Sequence, residues 1–196
     1  MSNIVTVNNF TNLTDVDLVQ SSLKNKDNFY FLMKRYEPRL TRYINRITNI
    51  GQDDKDDLLQ DIFIKVYRNL NGFDQNLKFS SWIYRIAHNE IINQYHKKSR
   101  SKLLLNIDKD DLNSVTSILK DEADISEEFL SQEKVGHVKI VLSKLPLKYQ
   151  EVLLLHFFEE KSYKEISDIL KKPMGTIATL INRAKLKFEK HYHQFD

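Results

Sequence analysis

Apolar residues recur along most of this chain at intervals of three and four, the spacing that lines one face of an α-helix. Phe29, Leu32, Met33, Tyr36, Leu40, Tyr43 and Ile47 form one long stripe, and Leu59, Ile62, Phe63, Val66 and Leu70 form a second. Five acids, Asp53, Asp54, Asp56, Asp57 and Asp61, stand around the start of the second stripe, where carboxylates complement the positive end of a helix dipole. Asn71-Gly72 breaks the pattern, residues 73–78 read as a loop, and a third stripe runs through Trp82, Ile83, Ile86, Ile91 and Tyr95. Trp82 is expected in the core rather than on the surface as a stacking platform. Residues 1–14 are polar and aperiodic and read as a mobile tail, which leaves residues 15–100 as one helical domain.

Apolar positions thin out over residues 101–128 and no period lasts there, so this stretch reads as a linker. The helical pattern resumes after Phe129 with Val135, Val138, Val141, Leu142 and Leu145, and Pro146 opens a further helix carrying Val152, Leu153, Leu155 and Phe157. Ser162-Tyr-Lys-Glu165 is a capping-box pattern, in which a hydroxyl and a carboxylate satisfy the free amides at a helix start. Ile166, Ile169 and Leu170 follow, then a break at Lys171-Lys172-Pro173-Met174-Gly175, with Thr176 as the expected cap of the last helix. That helix turns Ile177, Ile181, Ala184 and Phe188 inward and carries cations on its outer face. A short helix, a tight turn and a basic second helix make a helix-turn-helix, whose second helix can lie in a DNA major groove. The expected fold is all-α: two small helical domains, residues 15–100 and 129–196, on a flexible acidic linker.

Composition narrows the classes. With no cysteine among 196 residues there is no disulfide framework, no thiolate zinc site and no cysteine nucleophile, and a reducing compartment fits. No apolar run approaches the roughly 18–20 residues that cross a bilayer, and the first residues lack the basic flank of a secretory signal, so a cytoplasmic protein without membrane insertion is expected. The net charge is only +3, but the charges are segregated. Between residues 85 and 102 the cations Arg85, Lys97, Lys98, Arg100 and Lys102 face Glu90 alone; between 171 and 190 Lys171, Lys172, Arg183, Lys185, Lys187 and Lys190 face Glu189 alone. The connector holds Asp108, Asp110, Asp111, Asp121, Glu122, Asp124, Glu127 and Glu128. Two basic patches flanking an acidic tether point to two polyanion-binding surfaces in one chain.

Several of these segments together resemble a known family. Leu145-Pro146, the Ser162-Tyr-Lys-Glu-Ile166 box, Pro173-Met-Gly-Thr-Ile177 and Asn182-Arg-Ala-Lys185 look like region 4 of bacterial sigma factors. Asp57-Leu-Leu-Gln-Asp-Ile-Phe63 and Phe79-Ser-Ser-Trp-Ile-Tyr-Arg-Ile-Ala-His-Asn89 look like region 2. Both stand in the right order, and no folded third region separates them, which is similar to the extracytoplasmic-function (ECF) group of the sigma-70 family.

The resemblance implies a non-catalytic subunit that binds core RNA polymerase and directs promoter-specific initiation. It implies docking on a coiled coil of the β′ subunit through Asp57, Gln60 and Asp61, whose spacing places them on one helix face. It implies melting of the −10 element and capture of its unstacked bases by Asn76 and Lys78 in the loop. Along the next helix it implies contacts from Arg85, His88, Asn89, Asn93, His96, Lys97 and Arg100. Asn93 stands where an aspartate is common in the family, and His96 where an arginine is. For the −35 duplex it implies Thr176, Ala178, Thr179, Leu180, Asn182, Arg183 and Lys185. Ala178, Thr179 and Leu180 replace a common basic-serine-basic triplet, so weaker phosphate and guanine contacts and a distinct −35 preference are expected. The β flap and an anti-sigma factor are further implied partners, with a connector that threads the RNA exit channel and a nucleoid location.

Enzyme chemistry has little support in the residues. There is no Gly-rich phosphate loop, no nucleophile elbow and no His-x-x-x-His pair, and the acids at 53–57 lack the glycine and distal glutamate of a calcium loop. No metal ligand, cofactor or catalytic residue is expected. Two other readings remain from the residues: a helix-turn-helix regulator that works without polymerase, and a helical adaptor whose charge blocks bind only proteins. Neither needs the Asp57–Phe63 box.

Overall fold

A computed structural model describes residues 12–48, 50–97 and 132–193, with only the backbone described for residues 95–97, 132–136 and 139. Of the expected tail over residues 1–14, residues 1–11 lie outside the described residues, as does the connector over 101–128, while Thr14 belongs to the cap of the first helix. Eight α-helices are described: α1 Asp15–Lys24, α2 Phe29–Ile47, α3 Gln52–Arg68, α4 Phe79–Lys97, α5 Gln132–Lys144, α6 Leu147–Leu153, α7 Tyr163–Leu170 and α8 Met174–Tyr192. There is no strand among the described residues. The chain divides into two compact units; the first is built on residues 15–44 and Gly51–Gln94, and the second contains α5 to α8.

The first unit closes around aromatic rings. Tyr36, Leu40 and Tyr43 of α2, Ile62 and Val66 of α3, and Phe79, Ile83 and Tyr84 of α4 are fully buried. Tyr36 meets Phe79 edge-on at 5.4 Å, and Tyr43 lies 5.2 Å from Tyr84. α1, which the apolar stripes do not separate from α2, has its own capping box: Asp17 N donates to Thr14 Oγ1 and Thr14 N donates to Asp17 Oδ2, each at 3.2 Å. Its Asp15 is clasped by α2 through Arg35 Nη1 at 2.8 Å and the Tyr36 hydroxyl at 2.5 Å. Burial, reinforced by that carboxylate, pushes the Tyr36 phenol far above its ordinary range, so it remains a hydrogen-bond donor.

Three stripe residues of the first unit differ from expectation. Leu58, not Leu59, is the buried leucine at the start of α3, Met33 on α2 is 37% exposed, and Ile86 on α4 is only half-buried. Met33 and Leu59 both line an open groove between α2 and α3.

In the second unit α8 packs chiefly on α6, with α7 and α5 completing the core. Val152, Leu153, Leu154 and Leu155 are all buried, so the end of α6 is enclosed on several sides, because consecutive helical residues point in successive directions. Here the backbone widens into a π-helical turn, Leu154–Phe158, closed by Glu159 N donating to Leu154 O at 3.1 Å. The capping box of α7 forms as expected: Glu165 N reaches Ser162 Oγ at 3.3 Å and Ser162 N reaches Glu165 Oε2 at 3.0 Å. The start of α8 is a correction. Pro173 rather than Thr176 is the N-cap, and Met174, Gly175 and Thr176 already lie in the first turn. A glycine does little harm there, where the amides have no intrahelical partner in any case. The break is confined to Lys171, in the left-handed region at φ 53°, and Lys172. Ser167 pins it, its Oγ donating to Lys172 O at 2.6 Å.

Candidate functional site

α3 presents two different faces. Leu58, Ile62, Phe63 and Val66 point into the first unit, while Asp57, Gln60 and Asp61 are exposed. The four-residue step from Asp57 to Asp61, with Gln60 between, gathers an amide and two carboxylates on one outward strip. Beside it runs the groove between α2 and α3, about 740 Å³ in volume, with Phe29 and Met33 on one wall and Leu59, Gln60, Ile64 and Tyr67 on the other. Met33, Ile64 and Tyr67 are each more than a third exposed, and Phe29 holds the Tyr67 ring at 5.1 Å. The groove is also lined by the charged residues Glu37, Asp56 and Arg68. The stripe pattern points to neither Ile64 nor Tyr67. The available signal is that both are large apolar residues falling outside the stripe of their own helix.

The loop over residues 73–78 is anchored by Phe73, whose buried ring meets Phe79 at 5.2 Å and Trp82 at 5.5 Å. Trp82 and Tyr84 are both buried. Asp74 shapes the tip: its Oδ1 accepts from Asn76 N and from Asn76 Nδ2, both at 2.9 Å, an arrangement that mimics a backbone turn. Asn76 is exposed at that tip, and Lys78 is exposed at the start of α4, its carbonyl accepting from Trp82 N at 3.2 Å. On α4, Arg85, Asn89 and Asn93 follow at four-residue steps along one side, with Arg85 half-buried and the two asparagines exposed. Asn93 Nδ2 is held by Glu90 Oε1 at 3.2 Å, and Glu90 pairs with Lys65 of α3. The α4 backbone continues through His96 and Lys97, and Arg100 lies outside the described residues. His88 is not brought to this side. It is 6% exposed, and its Nδ1 shares a hydrogen bond with the Tyr43 hydroxyl at 2.9 Å.

In the second unit Ile177, Ile181, Ala184, Phe188 and Tyr192 seat α8. Thr176, Thr179, Asn182 and Arg183 are exposed on it, and Ala178, Leu180 and Lys185 are partly so. Thr179 Oγ1 donates to Gly175 O at 2.9 Å, which leaves its methyl group and an acceptor lone pair outward. Lys185 lies over the Phe157 ring at 5.5 Å, so the π-helical turn supports a cation of α8. Glu151 of α6 is 7% exposed; burial pushes its carboxyl up, and the Lys172 charge in the helix-turn-helix break partly offsets this.

Among the described residues no cluster of three or more acids and histidines could hold a metal ion, and no helix is long and apolar enough to cross a membrane.

Comparison with known proteins covers both units. The family model for Sigma-70 region 2 matches residues 32–101, and that for Sigma-70, region 4 matches residues 141–188. The chain is similar to the ECF RNA polymerase sigma factor SigW of Bacillus subtilis, with 31% identity over 82% of this chain and 86% of the relative. It is similar also to the ECF RNA polymerase sigma-E factor of Haemophilus influenzae, with 32% identity over 90% and 94%. Among solved structures, CnrH in complex with the cytosolic domain of CnrY shares the fold at a TM-score of 0.61 and 22% identity, over 90% of this chain and 95% of that one. The sigma factor RpoE of Bartonella quintana, in complex with the anti-sigma factor NepR, does so at 0.58 and 20% identity, over 84% and 96%.

Proposed function

This chain belongs to the ECF group of the sigma-70 family, and we propose that it binds core RNA polymerase, recognises a −35 duplex and melts the −10 element of its promoters. Sigma factors are non-catalytic specificity subunits, so the chemistry required of the chain is recognition alone.

The observation that carries the reading is the outer strip of α3: Asp57, Gln60 and Asp61 exposed beside an apolar groove. A helical partner with basic, hydrogen-bonding side chains and an apolar ridge fits that combination, and the β′ coiled coil supplies it. A regulator that binds duplex DNA without polymerase has no use for this strip.

Docking brings the α4 side to the melted strand. Arg85 tracks the phosphates, Asn89 and Asn93 offer amides to base edges, and His96, Lys97 and Arg100 extend the track. Asn76 at the loop tip and Lys78 at the start of α4 receive an unstacked base. His88 acts from within, fixing the rotation of α4 through Tyr43. On the −35 duplex, Arg183 and Asn182 make polar contacts, Thr176 and Lys185 reach phosphates, and Ala178, Thr179 and Leu180 meet thymine methyls. The second unit is carried on the β flap, and the connector over residues 101–128 threads the exit channel.

CnrH and RpoE were each seen bound to another protein, in RpoE's case an anti-sigma factor. An anti-sigma factor of its own holds this chain in the cytoplasm until it is released to the nucleoid.

Co-migration of the purified chain with core polymerase on gel filtration, followed by run-off transcription, tests the reading. Site-selective initiation with the sigma-free enzyme of its own host is the expected result, and sequencing the holoenzyme-bound DNA then supplies the promoter pattern. A mixture that initiates no more selectively than core enzyme alone overturns it.

A further inference from the structure

The −35 contacts proposed above use only α8. The second unit carries a further pair of cations on two different helices. Tyr149, on the first turn of α6 just after Pro146, is 6% exposed, and its amide donates to Pro146 O at 2.8 Å. Its main chain is fixed at the start of α6, and its ring is held within the second unit beneath two lysine side chains. Lys148 Nζ lies 5.1 Å from the centre of that ring and Lys187 Nζ, from α8, lies 5.9 Å from it. Both lysines are exposed. No ion pair among the described residues engages either ammonium group.

Two like charges gathered over one ring repel each other, and the ring's quadrupole offsets only part of that repulsion. An anion between or beside them removes the rest. Position says which anion. On α8, Thr176, Leu180, Arg183 and Lys187 follow at steps of four, three and four residues, so they share one side of the helix. Lys187 thus continues the Arg183 side one turn further, and Tyr149 brings Lys148 from α6 to the same place. Lys185, over Phe157, belongs to the other flank. A helix seated in a major groove has a file of phosphates along its flank, spaced regularly along one strand.

We propose that Lys148 and Lys187, gathered over the ring of Tyr149, form a clamp for backbone phosphates of duplex DNA beside the bases reached by α8. The inference rests on the −35 reading and adds to it a contact from outside the helix-turn-helix. The clamp carries affinity and register but no base preference, because phosphates are the same at every sequence. It compensates for the cations absent at Ala178 and Leu180.

The test uses holoenzyme reconstituted from the full chain and a duplex drawn from its own bound DNA. Affinity is measured across a salt series for wild type, K148Q/K187Q, K148R/K187R and R183A. Loss of two phosphate contacts makes the slope of log affinity against log salt shallower by about 1.8, which shrinks the affinity lost between about 50 and 200 mM salt roughly tenfold. K148Q/K187Q is expected to show that change with an unaltered order of preference among duplexes, and K148R/K187R to restore the wild-type slope. R183A is expected to change the order of preference. A K148Q/K187Q slope equal to wild type overturns the clamp while leaving the −35 reading standing. If the same variant keeps its slope but loses retention by core polymerase, the lysines serve a protein partner and the clamp is likewise overturned. A wild-type holoenzyme with no preference among duplexes overturns the −35 reading and the clamp together.

Discussion

Glu151 carries a carboxylate into the interior of the second unit, where burial raises its proton affinity and the charge of Lys172 only partly restores the ordinary value. The folded chain therefore holds this proton at a pH where the unfolded chain has released it. Stability from this source is full below the ordinary glutamate range and falls as pH rises through the elevated folded value. Glu151→Gln cannot release a proton, so the loss of stability from about pH 5 to about pH 7.5 is expected to be smaller than in wild type. Urea midpoints at the two pH values measure it, and equal losses in both proteins would place the pH sensitivity elsewhere. The same scale separates His88 from its neighbour Asn89. The two are adjacent in sequence and equally polar, yet His88 is bonded to Tyr43 inside the unit and Asn89 faces out.

Helix ends carry the strongest local information in the chain. Ser162 and Glu165 close the reciprocal pair that their spacing implies. Ser162→Ala removes one half of it and is expected to cost about 1 kcal/mol. The loss should appear as a lower denaturant midpoint in the full chain, together with weaker promoter binding by holoenzyme, since α7 sets the angle at which α8 is presented. An unchanged midpoint would mean that α7 is held by Ile166 and Ile169 alone. Where one residue type can serve two positions, spacing misleads. Thr176 has the chemistry of a cap, but Pro173, three residues earlier, already has extended geometry and cannot continue a helix from Lys172. Leu58 and Leu59 are adjacent leucines, and only the rotation of α3 against its neighbours decides that Leu58 is inside.

At the scale of the whole molecule, the α3 strip proposed to meet polymerase and the α8 helix proposed to read the −35 duplex lie in different compact units. They should fail separately. Asp61→Lys reverses an exposed charge on α3, a change that typically alters stability by no more than about 0.5 kcal/mol. It is expected to abolish co-migration with core polymerase while leaving the thermal unfolding of the chain unchanged. Retained co-migration would remove α3 from the docking surface. Helical class, the two apolar cores and the helix-turn-helix were legible in the sequence, because each is written as spacing along a single element. The groove between α2 and α3 was not, because its walls come from two stripes whose meeting angle no single stripe contains. Neither was the pairing of Lys148 with Lys187, which depends on a ring that α6 and α8 share.

The sequence by itself determined the helical class and most of what each helix turns toward its own core, with Leu59, Met33 and Ile86 among the exceptions, through the three- and four-residue recurrence of apolar side chains. Only the tertiary structure decided which of the remaining polar and apolar residues are exposed and what they stand beside: His88 withdrawn, Met33 and Tyr67 brought out, Lys148 and Lys187 set over one ring. The physical reason is that periodicity states a side chain's direction about its own helix axis, whereas burial depends on what stands across from it.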